Sequence, residues 1–310
     1  MNSTDGVGET MLVTQNSSVA AAVETYKAAP TLAPAIGAWA TFRKNWRLYV
    51  YEGILLACFM VSACVFTALM EYPNSPAAKM VTSPFLRRVV IGLAMGITAV
   101  ILIYSPLGKR SGAHMNPAFT LGFLRLAKIR RMDALGYMIG QFVGGGVGVL
   151  VSQLILGHHV IASSEVNFIV TIPGVWGTGI AWMAEFTISF LLMAMVLTVN
   201  QFTRLAPLTG CFAGALIVLF VMFEAPLSGF SMNPARTFGS AVLAHIWTDW
   251  WIYFTAPALG MLAGIEIHRI FAGEFVVLCP KLNHSRHHHS LRPCGCLANN
   301  AATDDNLTNG

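Results

Sequence analysis

The sequence predicts an all-α membrane protein of six transmembrane helices and two re-entrant half-helices related as an inverted repeat. Three observations carry that prediction. The 310 residues are 55% hydrophobic and only 11% charged, where a soluble domain holds about 25% charged residues. Six apolar runs approach the ~20 residues that cross a bilayer. One pattern also occurs twice in register, at 111–122 and at 228–239, which marks an internal duplication.

Residues 1–48 are rich in Ala, Thr and Ser and lack the basic start and apolar core of a signal peptide. They are expected to form a disordered cytoplasmic tail, and the first span then acts as its own insertion signal. Apolar length and flanking Gly and Pro place the spans at 50–70, 89–107, 134–156, 178–200, 207–223 and 250–272. One membrane domain over 49–272 follows, with halves at about 49–156 and 178–272, and a second disordered cytoplasmic tail over 273–310.

Basic residues orient these spans, because Lys and Arg concentrate in cytoplasmic loops. Arg43, Lys44 and Arg47 precede the first span, and Lys109, Arg110, Arg125, Lys128, Arg130 and Arg131 lie between the second and third. Arg204 follows the fourth, and Arg269, Lys281, Arg286 and Arg292 close the chain, while 157–177 holds no Lys or Arg. Both termini are expected inside, against a minority of outer charges at Lys79, Arg87 and Arg88. Topology thus accounts for the net charge of +5. No basic stripe interleaved with aromatics points to a nucleic-acid partner.

Cysteine spacing excludes a disulfide framework: Cys58, Cys64 and Cys211 fall inside apolar runs, and Cys279, Cys294 and Cys296 fall in the tail. The tail residues His287, His288, His289, Cys294 and Cys296 match no standard zinc spacing. No metal or cofactor is expected.

The two copies read SGAHMNPAFTLG and SGFSMNPARTFG. An odd number of spans separates them, so equivalent segments enter the membrane from opposite faces and meet near its midplane. In each, Asn-Pro-Ala precedes an apolar stretch too short to cross, 118–127 and 235–244. Asn116 and Asn233 suit the N-cap of a half-helix, and Pro117 and Pro234 suit its first position, where the missing N–H costs nothing. Ala118 and Ala235 complete the boxes. Non-helical backbone at this depth is tolerated only against protein or a water-filled cavity, so the loops point to a pore.

At these residues the sequence resembles the aquaporin, or major intrinsic protein, family over roughly 49–272. The two boxes, Glu52 and Glu185 in the first and fourth spans, and Arg236 directly after the second box carry the resemblance. It implies a homotetramer in the plasma membrane with one pore per subunit. The implied filter holds Arg236, Phe230 before Asn233, Val221 of the fifth span, and Ile91 or Gly96 of the second. Glu52 and Glu185 are implied to support the box loops. His114 either lines the cytoplasmic mouth or bonds within its loop.

On substrate the resemblance is mixed. Phe230 is similar to its counterpart in glycerol facilitators, and Val221 stands where water-selective members carry His. Thr237 and Ala241 replace the Asp and the basic residue of glycerol facilitators, and Tyr253 with Phe254 is similar to water channels. A passive pore for water and small neutral solutes, such as glycerol, urea or hydrogen peroxide, is the expectation, with the lipid bilayer as its surroundings. No nucleophile, metal cluster or phosphate loop suggests an enzyme. The alternative is a proton-coupled transporter using Glu52 and Glu185. The run Gly140, Gly144, Gly145, Gly146 and Gly148 reads as a helix-packing face.

Overall fold

The computed structural model describes residues 38–202, 204–272 and 281–282, and among these there is no strand. Six long helices form the spans: Ala38–Glu71, Pro84–Tyr104, Arg131–Leu156, Thr178–Gln201, Thr209–Phe223 and Ile252–Ala272. Two short ones, Pro117–Arg125 and Pro234–Ala244, are the half-helices. Five of the six spans are long and apolar enough to cross a membrane by composition. The sixth is of similar length, but its last turns carry Glu266, His268 and Arg269.

Boundaries moved where local chemistry intervened. The first helix begins at Ala38, inside the stretch expected to be a tail; residues 1–37 lie outside the described residues, as does most of 273–310. The second span starts at Pro84, with Ser83 as its N-cap accepting from the Leu86 N–H, and stops at Tyr104 instead of 107. Ser105 precedes Pro106 and is held extended at ψ 160°, because a residue before proline is driven from the helical region. A separate helix, Pro106–Ser111, follows, ending at Gly112 in the left-handed conformation. The second half repeats this device in shorter form, as Ala225–Ser228 ending at Gly229. The first loop is thus longer by the two extra residues of this helix, about half a turn, and the second span itself is not extended.

Packing follows the duplication. Span one packs on span three and span four on span six, each pair within its half, while span two packs on span five across the halves. Glycines let the backbones touch: a Cβ on Gly144 would lie 2.1 Å from the Gly53 carbonyl oxygen, and one on Gly260 2.3 Å from that of Phe186. Such small-residue seams are how membrane helices associate without a hydrophobic driving force. A Cβ on Gly140, Gly145 or Gly148 would also meet neighbouring backbone, but one on Gly146 would meet nothing within 4 Å, so that position does not require glycine. Each half-helix crosses to the other half, the first packing on span six and the second on span three.

Outward positions are apolar, with Ile97, Ile101, Val143, Leu154 and Ile155 all exposed. Exposed Trp39 and Trp46 sit at one end of the bundle and Trp176, Trp247, Trp250 and Trp251 at the other, as in the aromatic belts of membrane interfaces. Arg87, one of the minority outer charges, pairs with Glu71 at 3.2 Å and donates to the carbonyls of Ala78 and Val81.

Candidate pore centre

Asn116 and Asn233 each cap a half-helix. The Asn116 Oδ1 accepts from the Ala118 N–H at 2.9 Å, and the Asn233 Oδ1 accepts from those of Ala235 and Arg236 at 3.0 and 3.3 Å. Their amide nitrogens then cross between the halves. Asn116 Nδ2 donates to the Met232 carbonyl and Asn233 Nδ2 to the Met115 carbonyl, both at 2.7 Å. The two half-helix N-termini therefore meet tip to tip.

The loops that deliver these caps are strained alike. Ala113 and Met115 in the first, and Phe230 and Met232 in the second, all have φ between 48 and 56°, a region that costs non-glycine residues ~1–3 kcal/mol each. Buried carboxylates offset the strain. Glu52 accepts from the His114 and Met115 N–H groups at 3.1 and 2.6 Å, and Glu185 accepts from those of Ser231 and Met232 at 2.7 Å each. Both glutamates are fully buried, and these bonds account for the loop donors that would otherwise be orphaned.

Sequence reasoning missed further members of this frame. The Tyr137 hydroxyl donates to the Ser111 carbonyl and that of Tyr253 to the Ser228 carbonyl, both at 2.6 Å. The nearly equal spacing from each box serine to its tyrosine was the available signal. Gln141 reinforces the first carboxylate, donating to Glu52 at 2.9 Å. The second is reinforced by Ser228, which contacts both Glu185 and a further buried carboxylate, Glu224. Tyr253 is thus a buried structural tie, and Phe254 stacks on Phe142.

A cavity passes these tips. Its walls include Ala113, His114, Met115, Asn116 and Phe119 from the first loop and half-helix, Phe230, Ser231, Met232, Asn233 and Arg236 from the second, and apolar Leu56, Phe59, Ala99, Ile103, Leu192, Ala213 and Ile217 from the spans. Arg236 is held by the Ile169 carbonyl at 3.0 Å, offered by the loop between spans three and four, in which Asn167, Phe168 and Ile169 are all left-handed. His114 both lines the cavity and pairs its Nδ1 with the Thr120 hydroxyl at 3.1 Å. Of the expected filter, Arg236 and Phe230 form part of this cavity's wall. Val221 is buried beside Gly92, Gly96 is pressed against Val218 and Gly214 of span five, and Ile91 is half-buried against the core. The span-two residues in this wall are Ala99 and Ile103.

Comparison with known proteins agrees with this architecture. The family model described as major intrinsic protein matches residues 39–268. Aquaporin NIP1-1 of Arabidopsis thaliana is 34% identical over 181 residues, which is 57% of this chain and 60% of that relative. Aquaporin NIP2-1 of Zea mays is 34% identical over 211 residues, 66% of this chain and 68% of that one. The match to the Arabidopsis protein thus spans little more than half of its length. In fold, the chain is similar to the X-ray structure of the aquaglyceroporin from Plasmodium falciparum, with a TM-score of 0.62 at 18% identity, covering 73% of this chain and 96% of that one. The chain belongs to the major intrinsic protein family and is an integral membrane protein.

Proposed function

We propose that this chain is a passive channel for water and small uncharged solutes such as glycerol, urea and hydrogen peroxide. The reciprocal bonding of Asn116 and Asn233 carries the reading. Each amide gives one N–H to the opposite loop and keeps a second for a permeating molecule. A water held by both has its two lone pairs occupied and cannot accept from the next water in file, which interrupts proton hopping. Two helix N-termini, each worth about half a positive charge, repel cations at the same point. Arg236 and Phe230 form the outer filter, one polar wall and one apolar, which suits solutes with both hydroxyl and CH surfaces; Val221 and Ile91 or Gly96 act behind it.

Glu52 and Glu185 are ill placed as proton carriers. Their oxygens hold loop donors, and neither walls the cavity. In the same reading both termini face the cytoplasm, and the exposed apolar faces meet lipid and three further copies in a plasma-membrane homotetramer with one passage per subunit. Light scattering of the detergent-solubilised protein tests that assembly, and a monomer would overturn it. Liposome swelling tests the transport: both water and glycerol rates should rise above those of empty vesicles and ignore a proton gradient. Rates equal to empty vesicles in the wild type and in every variant, Leu282→Ala included, would sink the proposal.

A further inference from the structure

A residue beyond the last span, Leu282, lies at the passage. Leu282 follows the last span in sequence, yet it is only 6% exposed and belongs to the main apolar core. It shares the cavity wall with Ala113, His114 and Asn116. Its N–H donates to the Gly112 carbonyl at 3.2 Å, and Gly112, with φ 104°, is where the first loop turns towards its asparagine. The second half lacks this arrangement. There, Gly229 sits against Thr171 and Ile172 of the loop before span four.

A branched apolar side chain offers no hydrogen bond to a file of water, and apolar constrictions gate by dewetting. One backbone hydrogen bond and one buried side chain form a reversible tie, since a single such bond adds little net stability. We propose that Leu282 is a stopper at the Gly112 end of the passage, closing the channel when seated there and opening it when released. The inference rests on the channel reading.

Stopped-flow swelling of liposomes with equal amounts of full-length wild type, Leu282→Ala, Leu282→Pro and Leu282→Met tests it. Alanine removes the stopper, proline removes the N–H that Gly112 accepts, and methionine keeps both. The proline variant should raise water permeability about fivefold or more, the population change set by losing one hydrogen bond, the alanine variant should also rise above wild type, and methionine should stay within about twofold of it. The glycerol-to-water ratio should not change. Lost core packing lowers the amount of working channel, so a rise cannot come from damage. Alanine and proline rates at or below a conducting wild type would overturn the stopper and leave the channel standing. A wild type and variants all equal to empty vesicles would overturn both, and a silent wild type beside conducting variants would support both.

Discussion

In the first box loop the positions around the asparagine hold Ala113, His114 and Phe119; in the second they hold Phe230, Ser231 and Arg236. The frame around them is the same: an asparagine cap, a left-handed alternation, a buried glutamate taking two N–H groups, and a tyrosine tied to the box serine. Even the substituted pair keeps its partner, since His114 bonds Thr120 as Ser231 bonds Thr237. Duplication therefore preserves what places the half-helices, and divergence falls on side chains that face the cavity. One end acquires a charged, carbonyl-anchored arginine and the other an aromatic-lined apolar wall.

The equivalence of the two frames is tested hardest through the glutamates. Glu52→Ala and Glu185→Ala each leave two buried N–H groups bare at ~1–3 kcal/mol apiece, so both should lower stability by about 2–6 kcal/mol in detergent unfolding. A loss confined to one half would break the comparison. Divergence is tested at the position after each box. Arg236→Val should raise glycerol permeability about tenfold, equivalent to ~1.4 kcal/mol of barrier, whereas Phe119→Val should leave the glycerol-to-water ratio near wild type. Equal responses would mean that the Arg236 end holds no special filter.

Smaller effects sharpen the picture. Tyr137→Phe and Tyr253→Phe each delete one hydrogen bond between membrane segments, worth about 0.6 kcal/mol, and should shift unfolding equally. Finally, Phe230→His with Val221→His should lower the glycerol-to-water ratio about threefold, less than 1 kcal/mol. If Phe230→His alone gives the whole shift, Val221 belongs to the seam with span two and not to the passage.

Much of the site was legible because its signals are local. Asn-Pro at a helix start, Gly after a short helix and a charge in an apolar run each have a physical meaning within a few residues. Span ends were less legible: Ser105-Pro106 terminates the second span, but apolar composition continues through it. Gln141 passed unnoticed because its partner, Glu52, lies far along the chain, and Glu224 because it joins Glu185 only through Ser228. Gly146 looks like its neighbours Gly145 and Gly148, and only the facing helix distinguishes them.

By itself the sequence determined the membrane class, the duplication and the residue types at the two helix tips, since hydropathy, repeat and capping are properties of short stretches read in order. Only the tertiary structure decided which carbonyl each asparagine reaches, which span-two residues meet the cavity, and that Leu282 comes back to Gly112. Those contacts join residues remote in sequence, and their geometry is set by how closely the glycine seams let the helices approach.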